Sequence, residues 1–289
     1  MGRRPAADRP EPACRLVKFP ATDGVDLAGL LYEPERRTKR VAVFLHGTGG
    51  ASIFDSSRTN LLAREFVTRG IAYFPFNNRG AHVIRKPGRG SAYERIRECV
   101  PDIDGALREL RRRGYRELSL IGHSTGANKV AVYDHLKPRN GVRRYVLLAG
   151  GDDTGLMYEQ LGPRRFRSIL SNKRRSDELV PGMLMSWRAL YDMINPNGDY
   201  NVFPFGEVIR GERLSRRPLF RHVKKMRKPT LVVYGDQDPF CYGDVSRCVA
   251  ILAEHVGANF ELTIMEDADH GFGGREVELG TMIAEWLLA

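Results

Sequence analysis

The chain has 289 residues, of which 42% are hydrophobic and 28% charged, and its formal net charge is +11. This composition is typical of a globular protein with a sizeable core, and no apolar run reaches the roughly 20 residues that a membrane span needs. The basic residues are spread along the chain without a zinc-finger, recognition-helix or stacking-aromatic pattern, so we expect neither a membrane nor a nucleic-acid partner.

The N-terminal stretch MGRRPAADRPEPACR is charged and rich in proline. Because it lacks the apolar centre of a signal peptide, we interpret residues 1–14 as a flexible tail and expect a cytoplasmic protein. The four cysteines form no C-x-x-C pair and do not lie near histidines at metal-ligand spacing, which favours reduced thiols over a disulfide or zinc framework.

Strand-like and helix-like stretches alternate along the chain. The patterns predict strands at 15–22, 25–34, 41–47, 71–76, 118–121, 145–151, 231–235 and 260–266, and helices at 56–70, 99–115, 125–136, 244–256 and 275–288. The alternation stops for about 75 residues after Gly151, where the sequence looks helical with interruptions and then irregular and aromatic. Short connections between alternating elements predict a mostly parallel sheet with helices on both faces, carrying an insertion over one edge.

Chemically active side chains follow the ends of four predicted strands. His46-Gly47-Thr48-Gly49-Gly50, Gly122-His123-Ser124-Thr125-Gly126, Gly235-Asp236-Gln237-Asp238 and Asp267-Ala268-Asp269-His270 each come directly after a strand. Sites in parallel sheets form at the carboxyl ends of strands, so we expect these motifs to meet at one edge.

The glycine-framed serine after a strand and before a helix, followed by an acid and then a histidine, resembles the pattern of the α/β-hydrolases. The resemblance covers residues from about 15 to 289 and implies that fold, with Ser124 as the nucleophile and His270 as its base. It implies Asp238 as the acid that orients His270. Asp236 and the pair Asp152 and Asp153 are alternatives for that acid.

The same resemblance implies that the backbone N–H groups of Thr125 and Thr48 stabilise the oxyanion that forms during attack on a carbonyl. His46 and Gly47 shape the loop that carries Thr48. We expect Gly122 and Gly126 to leave room for the sharp turn that exposes the serine hydroxyl.

The resemblance divides the chain into a core of residues 15–151 and 229–289 and a lid of residues 152–228, which should form the ceiling of the pocket. Most apolar side chains of the lid should form its own core. The candidates for substrate contact are Trp187, Tyr191, Phe203 and Phe205. Basic clusters at Arg164-Arg165-x-Arg167 and Lys173-Arg174-Arg175 are either a solvated face or a region that attracts an anionic or metal-chelated substrate.

The stretch ECVPDIDGALRELRRRGYRELSLIGHSTGANKV is similar to a little-characterised α/β-hydrolase family that includes fungal siderophore esterases. Together these resemblances imply a carboxylic-ester hydrolase that acts on a small-molecule ester, with a bulky secondary-metabolite or siderophore-type ester as the narrower expectation. The reaction would proceed through an acyl-enzyme and needs no metal or organic cofactor.

The same triad could serve a thioesterase, a lactonase or an acyltransferase, and an inactive scaffold that binds a ligand is the alternative from another class. The sequence leaves the oligomeric state open.

Overall fold

The computed structural model describes residues 12–49, 51–54, 58–172 and 176–289. Within them the strands are β1 Cys14–Pro20, β2 Asp26–Tyr32, β3 Arg40–Leu45, β4 Ala72–Asn77, β5 Glu117–His123, β6 Arg144–Leu148, β7 Thr230–Gly235 and β8 Phe260–Met265. Most of the predicted tail lies outside the described residues, and β1 already begins at its last residue.

The helices in the described part of the chain are α1 Arg58–Val67, α2 Cys99–Arg112, α3 Thr125–Leu136, α4 Asp153–Ser171, α5 Trp187–Ile194, α6 Phe205–Arg210, α7 Val245–Ala253 and α8 Glu276–Leu288. Short 3₁₀ turns cover Ile96–Glu98 and Val223–Lys225. The predicted helices and strands of the core are therefore confirmed, with boundary differences of a few residues.

The strands that the structure describes form one sheet in the order β1-β2-β4-β3-β5-β6-β7-β8. β2 pairs antiparallel with β1 and β4, and all pairs from β4 to β8 are parallel. The connection from β3 to β4 crosses the sheet in one direction, and the connection from β4 to β5 crosses it in the opposite direction. Because crossovers are right-handed, α1 lies on one face of the sheet and α2 and α3 lie on the other. α8 packs against α1 and completes the first layer.

Strands in the middle of this sheet are apolar on both faces because helices cover both. All six residues of β4 and of β7 are buried. The carboxyl ends of β3, β5, β7 and β8 are thereby held rigidly at one edge, which is where the four sequence motifs begin.

The segment between β6 and β7 contains α4, α5 and α6. α4 bends at Gly162, whose φ of 73° is not helical. The next residue, Pro163, has no N–H group to donate to the preceding turn, so the helical hydrogen bonds are interrupted there. α4 and α5 enclose a small apolar cluster of their own, whose buried members are Tyr158, Phe166, Ile169, Val180, Leu190 and Ile194. The buried apolar residues of the segment from Tyr200 onward instead pack into the main core.

All four cysteines are free thiols, and three of them are buried. Among the helices of the described residues, none combines the length and apolarity that a membrane crossing requires.

Candidate active site

Ser124 lies in a sharp turn between β5 and α3. Its backbone has φ 57° and ψ −131°, a conformation that costs a non-glycine residue free energy and that clusters at functional sites. Its N–H donates to the carbonyl of Leu148 at 2.9 Å, and its own carbonyl accepts from Ala127 at 2.8 Å. These bonds to β6 and α3 hold the turn, so the strain is maintained by the surrounding sheet and helix.

The two glycines of the turn are required by close backbone packing. A Cβ at Gly122 would lie 2.2 Å from the carbonyl oxygen of Gly126, and a Cβ at Gly126 would lie 2.3 Å from the carbonyl oxygen of Leu45. Both distances are far shorter than any van der Waals contact. The turn therefore presses the start of α3 against the end of β3.

The loop after β3 passes directly beside Ser124. A Cβ at Gly47 would lie 2.9 Å from Ser124 Cβ and 3.3 Å from its Oγ. The next residue, Thr48, and Thr125 at the first position of α3 bring two backbone N–H groups to this region. The first N–H groups of a helix have no acceptor within the helix, so that of Thr125 is available to another group.

His46 holds this loop in place as a neutral ring. Burial and the charge of Lys129 lower the pKa of His46 to about 3. Its Nε2 accepts from the N–H of Asn78 at 3.2 Å, so Nδ1 carries the proton and donates to the carbonyl of Gly47 at 2.7 Å. Both nitrogens of the imidazole are thus hydrogen-bonded to backbone groups.

A buried polar network lies behind the same loop. Lys129 of α3 is fully buried and forms a 2.8 Å ion pair with Glu94, which is also buried. The Asn78 side chain accepts from Lys129 Nζ at 3.4 Å, and its backbone N–H reaches His46. The network therefore ties the helix that follows Ser124 to the loop that carries Thr48. Sequence reasoning missed it, because a lysine inside a helix resembles any surface lysine.

His270 follows β8 and Asp238 follows β7, as predicted. His270 Nδ1 donates to Asp238 Oδ2 at 2.8 Å, and the Asp238 side chain is almost completely buried. The other carboxylate oxygen accepts from the N–H of Phe240 at 2.9 Å. Both carboxylate oxygens are thereby engaged, which fixes the tautomer and the orientation of the imidazole.

The alternative acids have other partners. Asp236 accepts from the N–H of Ala268. Asp152 caps α4 at Gly155 and accepts from the N–H of Gly206 and the hydroxyl of Tyr242. A carboxylate occupied in this way orients backbone segments rather than a histidine.

His123, the residue before Ser124, has a contact that sequence reasoning missed. Its Nε2 donates to the backbone carbonyl of His270 at 2.7 Å, and the two rings lie 5.1 Å apart. The bond joins the turn that carries the serine to the loop that carries the histidine. The sequence gives no signal for this contact, because His123 occupies a variable position of the glycine-framed motif from Gly122 to Gly126.

Ser124, His270 and the loop from His46 to Gly49 line one cavity of about 620 Å³. Its apolar wall is formed by Phe44, Ile53, Leu62, Tyr73, Leu156 and Phe240. Within the described residues, the inserted segment contributes only Asp153 and Leu156, so its part in the predicted ceiling is limited to the first turn of α4.

Asp153 brings a carboxyl group to the cavity. It accepts from Thr125 Oγ1 at 3.3 Å and from Asn128 Nδ2 at 3.0 Å. Burial, with the nearby Asp152 carboxylate, raises the pKa of Asp153 to about 7, although Thr125, Lys129 and His270 act in the other direction.

The predicted substrate contacts are not among the described residues that line the cavity. Phe203 and Phe205 are fully buried and stack on each other in the main core. Trp187 packs against the small cluster of α4 and α5, and Tyr191 is half-buried on α5. These aromatic residues stabilise the insertion and its junction with the core, which periodicity alone cannot distinguish from a binding wall.

The basic clusters have no side chain among the described residues lining the cavity. Arg164, Arg165 and Arg167 are exposed on α4. The second cluster, at 173–175, lies outside the described residues.

Comparison with solved structures gives several matches over almost the whole chain. Est1E from Butyrivibrio proteoclasticus with ferulic acid bound is 14% identical, with a TM-score of 0.63, and the match covers 93% of this chain and 97% of that one. An esterase from Pyrococcus furiosus, Pf2001, is 17% identical with a TM-score of 0.60, covering 96% and 92%. The esterase domain of a Rhodothermus marinus protein is 18% identical with a TM-score of 0.59, covering 95% and 97%. At such identities these likenesses establish a shared fold.

A search of curated proteins gave no match. A model of the alpha/beta hydrolase family, however, matches residues 42–276, which span β3 to the start of α8 and include all four strand-end motifs. With this match and a sheet that has the predicted parallel architecture, the chain belongs to the alpha/beta hydrolase family.

Proposed function

We propose that this protein is a serine hydrolase that cleaves carboxylic esters through an acyl-enzyme. The observation that carries the proposal is the convergence of a strained, glycine-framed serine and a carboxylate-bound histidine on one cavity. Ser124 Oγ attacks the ester carbonyl, and His270 Nε2 takes its proton. Asp238 stabilises the imidazolium through the bond to Nδ1.

The tetrahedral oxyanion then accepts hydrogen bonds from the N–H groups of Thr48 and Thr125. Collapse of this intermediate breaks the ester C–O bond, and His270 gives its proton to the departing alcohol. Water, deprotonated by the same histidine, attacks the acyl-serine and releases the acid. Each proton moves through His270, which lines the cavity together with Ser124.

The names of the similar solved structures support an ester as the substrate class, since two of them are called esterases and the third, Est1E, has ferulic acid bound. A cavity of about 620 Å³ with an apolar wall suits an ester of moderate size. Cleavage of a siderophore-type ester, residence in the cytoplasm and a lid role for residues 152–228 stay predictions.

The test is hydrolysis of p-nitrophenyl esters from C2 to C12 by the wild type and by Ser124→Ala. The proposal expects a loss of kcat of roughly 10⁴-fold or more in Ser124→Ala, because nucleophile and base act as one unit. Ser119→Ala is the matched control, since Ser119 lies five residues earlier, on β5, and outside this cavity. Retained hydrolysis in Ser124→Ala would overturn the proposal, and the chain-length profile of the wild type reports the pocket's reach.

A further inference from the structure

The cavity holds one carboxylate that ester hydrolysis by the serine does not use. Among the described residues that line the cavity, Asp153 is the only acid, and there is no Lys or Arg. It lies at the start of α4, beside Thr125 and Asn128 of α3.

Among the described residues, no Lys, Arg or His forms an ion pair with Asp153. Its hydrogen-bond donors, the Thr125 hydroxyl and the Asn128 amide, are both neutral. An ionised carboxylate has about four acceptor positions, so two such bonds leave it able to accept more. A carboxylate removed from water is costly unless a charge or several hydrogen bonds compensate it.

Its neighbour Asp152 differs in having three hydrogen-bond donors. Asp152 is 2% exposed and accepts from the N–H groups of Gly155 and Gly206 and from Tyr242. Asp153 is partly exposed, and the space beside it is the cavity that contains Ser124 and His270.

From this geometry we propose that Asp153 selects esters that carry a protonated amine, by accepting a hydrogen bond from its N–H⁺ group inside the cavity. The proposal rests on the proposed function and names the substrate class for the same site. A cationic group supplies the charge that the neutral donors lack, and the aromatic rings of Phe44, Tyr73 and Phe240 along the wall accommodate the surrounding alkyl groups. An anionic ester would instead meet Asp153 with like charge. The exposed arginines of α4 do not reach the described wall of the cavity to offset that repulsion.

The experiment compares pairs of esters in which the protonated tertiary amine of one member is replaced by a CH group in the other. On the alcohol side the pair is 2-(dimethylamino)ethyl butyrate and 3-methylbutyl butyrate. On the acyl side it is p-nitrophenyl 6-(dimethylamino)hexanoate and p-nitrophenyl 7-methyloctanoate. The measured quantity is the ratio of kcat/KM for the amine ester to that for its carbon isostere, in wild type, Asp153→Asn and Asp267→Asn.

In at least one pair the ratio should fall by roughly tenfold to a hundredfold in Asp153→Asn, the range expected for a charged hydrogen bond. Asp267→Asn removes the same charge from a side chain that is 81% exposed and outside the cavity, so its ratio should equal that of the wild type. Because both members of a pair are measured on one preparation, a partly misfolded variant leaves the ratio unaffected.

A second measurement covers the case in which Asp153→Asn does not fold. In the wild type the ratio should rise between pH 5.5 and 7.5 as Asp153 ionises, because burial raises the pKa of Asp153 to about 7. Any effect of pH on the ester chemistry that both members of a pair share cancels in the ratio. The charged groups that act on Asp153 are Asp152, Lys129 and His270. The amine itself stays protonated over this range.

The outcomes separate the two proposals. If the ratio is the same in wild type and Asp153→Asn, Asp153 does not have the proposed role. If only the wild type folds, a ratio that does not change with pH has the same meaning. In both cases Ser124-dependent hydrolysis still stands. If the esters are hydrolysed equally well by Ser124→Ala, or by neither protein, the proposed function fails and this inference fails with it.

Discussion

His270 donates from Nδ1 to the Asp238 carboxylate at 2.8 Å, although the two residues lie on loops after different strands. The parallel pairing of β7 with β8 places both loops at the same edge of the sheet. The second Asp238 oxygen is held by the N–H of Phe240, so the carboxylate cannot rotate away without losing that bond. The histidine is therefore oriented before any substrate arrives.

Replacing Asp238 by Asn should lower kcat for a p-nitrophenyl ester by about 10⁴-fold, because the amide no longer holds His270 in the required tautomer. Asp236→Asn is the matched control, since this neighbour accepts a backbone N–H and does not contact the histidine. Its loss of activity should be less than about tenfold, the effect of a loosened loop. Steady-state kinetics measure both, and equal losses in the two variants would remove Asp238 from its proposed role.

The bond from His123 to the carbonyl of His270 should matter for positioning. His123→Phe keeps a ring but removes the donor, so we expect kcat to fall by roughly 10- to 100-fold with little change in KM, as misplacement of a reacting group does. His123→Gln, which keeps an N–H donor, should retain more activity than His123→Phe. If both variants had the activity of the wild type, the contact would have no part in holding the loop.

Breaking the buried ion pair between Lys129 and Glu94 should strongly lower the free energy of unfolding. Lys129→Met leaves a buried carboxylate without its partner, which costs about 3–5 kcal/mol of unfolding free energy. The double variant with Glu94→Gln should recover part of that loss. Lys137→Met, which removes a lysine that pairs with Asp104 and is 48% exposed, should cost less than about 1 kcal/mol. Urea unfolding measures all three, and a Lys129→Met protein as stable as the Lys137→Met protein would contradict the prediction.

His222 gives the stability a defined pH dependence. It is fully buried, and desolvation lowers the pKa of His222 from 6.5 to about 4, despite a hydrogen bond from its Nε2 to Asp199. Between pH 4 and 6.5 the unfolded chain binds a proton at this histidine and the folded chain does not, so its contribution to stability rises with pH across that window.

Accordingly, the stability of the wild type relative to His222→Gln should fall by about 3 kcal/mol when the pH is lowered from 7 to 4. Urea unfolding of both proteins at a series of pH values measures this difference. A difference that stays constant with pH would mean that the ring titrates alike in the folded and unfolded chains.

The core of the fold was predictable because its signals are local. Apolar runs such as Val41–Leu45 and 231–235 are buried on both faces, and α7 begins directly after Asp244, whose side chain caps it by accepting from the N–H of Arg247. The strand-end motifs could likewise be found in sequence, because parallel pairing brings the carboxyl ends of strands to one edge.

The walls of the cavity could not be found in this way. Phe203 and Phe205 have the composition of a binding surface but stack inside the core, whereas Phe240 and Leu156 reach the cavity from unremarkable sequence contexts. Asp153 was considered only as an alternative acid. Its contact with the cavity depends on how α4 leaves the sheet, which no local pattern encodes.

The central claim is that Ser124 forms the covalent intermediate, and phosphorylation by diethyl p-nitrophenyl phosphate tests it most directly. The Ser124 oxygen should attack phosphorus and release p-nitrophenolate, giving one diethylphosphoryl group per chain, with ester hydrolysis lost in parallel. Peptide mass spectrometry of the wild type should locate that group on Ser124 and find none in Ser124→Ala. A label on another residue, or hydrolysis that persists after Ser124 is fully modified, would contradict the account.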